Sequence, residues 1–143
     1  MTVVVKRVYE SVSRSDGTRV LIDRLWPRGL RKTDIAVHEW LRNIAPSNEL
    51  RKWFHARPEQ WRVFRNRYLK ELSHPEAEEE LQKLYLLAHR KKRLTLLFAS
   101  KNEKYNNAVV LKELLGGMRK PPTGTGPTGL RAVPTRNAAI RRR

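Results

Sequence analysis

Two short stretches gather the side chains best suited to chemistry, and each follows directly on an apolar run. "RVLI" gives way to "DRLWPRGL", residues 23–30, which brings Asp23, Arg24 and Arg28. "LTLLFA" gives way to "SKNEKYNNA", residues 100–108, which brings Ser100, Lys101, Asn102, Asn106 and Asn107. Guanidinium and ammonium groups suit phosphate or carboxylate, arginine with two parallel hydrogen bonds, and exposed amides at a helix start add neutral partners. If the two runs are parallel neighbours in one sheet, Asp23, Arg24, Arg28, Ser100 and Lys101 converge on the edge where open α/β sheets hold ligands. A structural alternative stands beside this one. Asp23 can pair with an arginine simply to fix the loop, with Trp26 and Pro27 packed beneath it. The asparagines divide the same way. Asparagine is a poor helix former, so Asn102, Asn106 and Asn107 either cap a helix or present amides to a ligand.

Other chemistries find little support. The chain contains no cysteine, which excludes a thiolate nucleophile, a cysteine-held metal and a disulfide framework. His38, His55, His74 and His89 lack the spacing of a metal-binding pair, so neither a metal nor another cofactor is expected. No serine elbow, P-loop or dinucleotide glycine pattern occurs. Asp23 has no partner carboxylate nearby in sequence, which argues against a paired-acid mechanism and leaves it an orienting or proton-accepting role. Trp40, Trp53 and Trp61 lie at helical spacing from apolar residues and read as core. Trp53, beside Arg51 and Lys52, is the exception, a candidate ring for stacking on a base.

The elements that must position these groups follow an α/β pattern. Residues 3–9, 19–23 and 94–100 read as strands, the last covered on both faces because its apolar run is nearly continuous. Asp16-Gly17 signals a turn, and the short link between the first two strands predicts a hairpin, since a parallel crossover usually takes longer. Ser47 is a natural N-cap for "NELRKWFHA", Pro58 for the start of a second helix and Pro75 of a third. Trp61, Phe64, Tyr68 and Leu72 form one apolar stripe on the second. Glu76, Glu78, Glu79 and Glu80 open the third helix and His89, Arg90, Lys91 and Lys92 close it, as the helix dipole favours. A final helix is expected over residues 103–115, with Ala108, Leu111 and Leu115 inward. The expected fold is therefore a single α/β domain over residues 1–117, a small open sheet of about three or more strands with several packed helices. Residues 118–143 read as a basic, Pro/Gly-rich, disordered tail.

Charge is the strongest compositional signal. Lysine plus arginine number 31 against 14 acids, a formal net charge of +17. Seven of those cations fall in residues 118–143, which hold no acid. Such a field attracts polyanions such as RNA or DNA. Arginine enrichment from a GC-rich genome is the competing explanation. No apolar run is long enough to span a bilayer and no signal-peptide pattern opens the chain, so a cytoplasmic protein without a membrane partner is expected. Nothing in the pattern indicates an oligomeric state.

Taken together, "RVLIDRLWPRGL", "APSNELRKWF", "FRNRYLKEL" and "NNAVVLKELL" resemble the YeaO-like family of small bacterial cytoplasmic proteins, a domain of unknown function. The resemblance runs from about Lys6 to Leu115 and leaves the tail outside. It implies a compact α/β fold and brings no established activity. Through more distant relatives it implies a mononucleotide-binding-style α/β unit, parallel at its first two strands. In those relatives an Asp, an Arg and a Pro match Asp23, Arg24 and Pro27. They also carry cysteines near the segment matching "FASKNEKYNNA", which this chain lacks, so thiol chemistry does not carry over. Three functional classes follow: a binding protein for an anionic small molecule or nucleic acid, which the charge favours; a small enzyme acting on a phosphorylated or carboxylated metabolite; and a protein-interaction module.

Overall fold

The β-branched and aliphatic runs form four parallel strands: β1 (Thr2–Arg7), β2 (Thr18–Leu21), β3 (Glu39–Trp40) and β4 (Arg93–Phe98). Five helices accompany them: α1 (Lys32–Ile35), α2 (Asn48–Ala56), α3 (Trp61–Glu71), α4 (Pro75–Arg90) and α5 (Asn107–Gly117). This architecture comes from a computed structural model that describes residues 2–122. Of the expected disordered tail, residues 118–143, residues 123–143 lie outside the described residues.

The sheet order is β1-β4-β2-β3. β4 therefore sits between the first two strands, with Val5 opposite Leu96 on one side and Val20 opposite Leu96 on the other. The hairpin expected from the short link between β1 and β2 is thus incorrect. The reason is local. Residues 14–16 form a single 3-10 turn capped by Ser13, and Gly17 follows at φ 67°. A Cβ on Gly17 would collide with the Arg93 carbonyl oxygen, so only glycine lets the chain pass this close to the start of β4. The turn signal at Asp16-Gly17 is real, but it steers the chain past a gap that β4 fills much later.

That arrangement buries a charged cluster beneath the sheet. Arg19 on β2 is 2% exposed; its guanidinium donates to the Ile35 carbonyl at 2.8 and 3.0 Å and forms an ion pair with Asp16. Lys6 on β1 reaches the same carboxylate at 3.0 Å, and the Ser13 amide donates to it at 2.9 Å. The Thr95 hydroxyl on β4 donates to the Asp16 carbonyl at 2.6 Å. Asp16 thus ties all three long strands together.

Alternating side chains of the central strands divide the core in two. Val20, Ile22, Leu94, Leu96 and Phe98 face the larger cluster, with Phe64, Tyr68, Leu81, Leu84, Ala108, Leu111 and Leu115 from the helices. Leu21 and Leu97 face the smaller one, with Ile35, Trp26 and Trp40. β4 is covered on both faces, as its continuous apolar run predicts. Ser47 caps α2 by accepting from the Leu50 amide at 3.1 Å, and its own hydroxyl donates to Glu71 at 2.7 Å. Helix α3 starts at Trp61 rather than at Pro58. Its stripe is buried at Phe64, Tyr68 and Leu72, while Trp61 is half-buried at the helix end. Met118 packs on the larger cluster, just beyond α5.

Burial of the Asp16 carboxyl pushes its pKa up, but hydrogen bonds from Ser13, Lys6 and Arg19 together outweigh that and hold it below the ordinary 3.8. A carboxyl with a depressed folded-state pKa binds its proton more weakly when folded. Its stabilising contribution is therefore complete above 3.8 and is lost as pH falls through the lowered value. Asp16→Asn leaves Arg19 buried without its counter-charge and should cost about 3–5 kcal/mol at pH 7 by urea denaturation. The gap between variant and wild type should narrow in strongly acidic buffer. A gap that is small at pH 7, or constant with pH, contradicts this role.

Candidate functional site

Parallel strands place their carboxyl ends on one edge, and here the two central strands part company at that edge. After β2 the chain crosses to the face carrying α1, and after β4 it crosses to the opposite face, where α5 packs. Neighbouring strands whose connections leave in opposite directions open a crevice between them. A cavity of about 660 Å³ occupies this crevice, within the size range of small-molecule sites.

All seven residues singled out from the sequence line it: Asp23, Arg24, Arg28, Ser100, Lys101, Asn106 and Asn107. Their individual settings differ. Asp23 spans the gap between the strand ends. One carboxylate oxygen accepts from the Ala99 amide at 2.8 Å, and the other from the Asn107 side-chain amide at 3.0 Å. The same Asn107 nitrogen donates to the Ile22 carbonyl at 3.1 Å. Two acceptors on one side fix the orientation of that amide. Burial pushes the Asp23 carboxyl above its ordinary range, against the opposing pull of Asn107, the Ala99 amide and the Arg51 charge.

Asp23 therefore pairs with neither loop arginine, and the expected role of orienting one is corrected to bracing the end of β4. Its neighbour Arg24 is structural as well. The Arg24 guanidinium donates to the carbonyls of Ala45 and Pro46 at 3.0 and 3.3 Å, joining the loop to the chain entering α2. Beneath the loop, the Trp26 ring packs edge-on against Trp40 and donates to Leu30, while Trp40 donates to the Asp23 carbonyl at 2.7 Å. These contacts make "DRLWPRGL" a rigid corner.

Arg28 and Lys101 are different. Both are exposed, and neither side chain makes a hydrogen bond or ion pair among the described residues. Only the backbone of Arg28 is engaged, accepting from the Tyr9 hydroxyl at 2.9 Å. Ser100 closes a tight turn by accepting from the Asn102 amide at 3.1 Å, and its carbonyl is held by Arg7 at 2.9 Å. Asn102 does not cap the helix. Its side chain instead accepts from the amides of Lys104 and Tyr105 at 3.0 and 2.9 Å, which delays α5 until Asn107. The cap is Asn106, which accepts from the Val109 amide at 3.1 Å and donates to the Asn102 carbonyl at 2.9 Å.

The sequence reading missed the wall supplied by α2 and α3. Arg51, His55, Phe54 and Phe64 line the cavity, as do Tyr9 and Tyr105. Arg51 and His55 lie four apart on α2 and so share a face, but they are indistinguishable in sequence from an ordinary solvated stripe. The lining thus carries four cations, Arg24, Arg28, Arg51 and Lys101, against one carboxylate. Among the described residues, no group of three His, Asp or Glu side chains is placed to hold a metal. Nor is any described helix long and apolar enough to cross a membrane.

Residues 2–121 match the model of a family described as the inactive DUF488-N3 subclade. The chain belongs to that subclade. YeaO of Escherichia coli, an uncharacterized protein, is 47% identical over 115 residues, covering 80% of this chain and 97% of the relative. The uncharacterized proteins Mb3100c of Mycobacterium bovis and Rv3073c of Mycobacterium tuberculosis are each 43% identical over 113 residues, covering 79% of this chain and 92% of the relative. The YeaO-like resemblance is therefore established, in bacteria and for a domain of unknown function. No solved structure gives a significant match. In this chain the strand-end corner is braced by Asp23 and Asn107, and that brace is open to test. Asn107→Ala removes one of the two donors that oppose burial, so the Asp23 pKa should rise further. The variant should also lose about 1–3 kcal/mol of stability at neutral pH. Carbon-detected NMR titration of the Asp23 carboxyl, paired with denaturation, measures both. An unchanged or lowered Asp23 pKa would contradict the brace.

Proposed function

We propose that this chain is a binding protein for a small anionic ligand, a phosphate or carboxylate, held in the strand-end cavity without chemical turnover. The observation that carries this reading is the contrast within the lining. Asp23 and Arg24 are consumed by structural hydrogen bonds, whereas Arg28 and Lys101 face the same cavity with no partner among the described residues. Two uncommitted cations, with Arg51 in the same lining, give an electrostatic field that an anion would satisfy. Catalysis has less to work with. The one carboxylate in the lining has both oxygens engaged, and the chain has no cysteine. The subclade's description as inactive agrees with an absence of turnover.

Titration of the full-length protein with inorganic phosphate and with acetate, followed by two-dimensional NMR, tests the reading. Saturable shifts should appear in the residues lining the cavity. Arg28→Ala and Lys101→Ala should each weaken binding about tenfold and change stability by less than about 0.5 kcal/mol. Arg24→Ala should destabilise the fold, because its guanidinium joins two segments. Absence of saturable binding, or full affinity in both rim variants, sinks the reading.

The net charge of +17 favours a second reading, in which the arginines beyond residue 122 add affinity for nucleic acid without sequence preference. Changing Arg131, Arg136, Arg141, Arg142 and Arg143 together to Gln should flatten the salt dependence of oligonucleotide binding and weaken all sequences alike. If the variant binds one sequence as tightly as before, the tail is incidental.

A further inference from the structure

Beyond its cations, the cavity has a feature that a simple anion would not use. Phe54, Phe64 and Tyr105, from α2, α3 and the loop after β4, all line it. Their rings form one contiguous cluster. Phe54 stacks on Phe64 with centroids 4.3 Å apart, and Trp61 bridges Phe64 to Tyr105 at 5.7 and 5.0 Å. Tyr105 is placed rather than loosely carried, because Asn102 accepts from its backbone amide at 2.9 Å. Its hydroxyl makes no hydrogen bond among the described residues, and the ring is held on one side by Trp61 and by the Lys104 ammonium 5.3 Å from its centroid. Phe64 is buried within the core, but Phe54 and Tyr105 are half-buried, and phosphate or acetate alone would leave their open faces in contact with water. A ligand with a flat ring would cover them, and aromatic faces take such rings by offset or edge contacts.

We infer that the natural ligand joins a planar aromatic or heteroaromatic ring to an anionic group, the ring resting on Phe54 and Tyr105 and the anion meeting Arg28 and Lys101. The inference rests on the proposed function and narrows its ligand class. The cavity volume of about 660 Å³ accommodates both parts at once. The division of labour is physical: the rim cations attract any anion over a distance, whereas the ring wall discriminates at contact. A phosphate and a carboxylate meet the rim by the same chemistry, so the ring is the selective element.

The test compares matched probes on the full-length protein by calorimetry: phenyl phosphate against methyl phosphate, and benzoate against acetate. Within whichever pair binds, the aromatic member should bind about tenfold more tightly, a ratio typical of one stacked ring. Tyr105→Leu, which keeps apolar bulk, should reduce that ratio severalfold and leave the affinity for methyl phosphate or acetate unchanged. Arg28→Ala should weaken both members of a pair equally and preserve the ratio. Equal affinity within both pairs overturns the ring wall while the anion reading stands. Equal loss for both members in Tyr105→Leu overturns it as well, because the loop would then be merely structural. If Tyr105→Leu fails to fold, the wild-type ratios decide alone. If no probe binds, the anion reading fails and takes this inference with it.

Discussion

The Asp23 carboxylate is the constraint from which the site's geometry follows. It sits where β2 and β4, hydrogen-bonded neighbours along their length, send their chains to opposite faces of the sheet. Its two oxygens hold the Ala99 amide and the Asn107 side chain, so the exit of β4 and the start of α5 are registered against the end of β2. Asn107 completes the clamp through the Ile22 carbonyl. A crevice at a divergence of strands is otherwise a place where polar backbone groups would go unpaired. Here the half-buried acid satisfies the Ala99 amide directly and, through Asn107, the Ile22 carbonyl.

Burial works against keeping that acid charged, and three partners work for it. Unlike Asp16, where surrounding donors win outright, Asp23 remains above its ordinary range. The difference follows from what each carboxylate faces. Asp16 meets a lysine and an arginine directly, whereas Asp23 meets two neutral amide donors and feels Arg51 only through space. Each of its oxygens accepts one hydrogen bond, and that pairing fixes the carboxylate's orientation. Its value to the site is geometric, since it keeps the rigid corner in place while Arg28 and Lys101 stay uncommitted at the rim.

Much of this was legible in the chain itself. The apolar run before Ser100 marks a doubly covered strand, and it is indeed central. Ser47 and Pro75 mark helix starts because their roles depend only on local backbone geometry. The convergence of Asp23, Arg24 and Arg28 with Ser100 and Lys101 was legible only conditionally, as it requires two distant strands to be neighbours. The hairpin expectation failed for a related reason. A short link is compatible with adjacent strands or with strands one position apart, and what separates the cases is a contact between Gly17 and Arg93 across most of the sequence. Hydrogen-bond partners were the least legible. Arg24 and Arg28 look alike in "DRLWPRGL", yet one is spent on the Ala45 and Pro46 carbonyls and the other is not. Neither the identity of those carbonyls nor the aromatic wall from α2 and α3 has any local signature.

We propose that the crevice braced by Asp23 holds an anion on its uncommitted cations. The most direct measurement is a crystal structure of the full-length protein grown in phosphate. A phosphate is expected inside the strand-end cavity, within about 2.7–3.2 Å of donors on at least two of Arg28, Arg51 and Lys101, with the Asp23 hydrogen bonds to Ala99 and Asn107 intact. Phosphate bound only elsewhere on the surface, with Arg28 and Lys101 turned out to solvent, would contradict it and leave "DRLWPRGL" a structural corner.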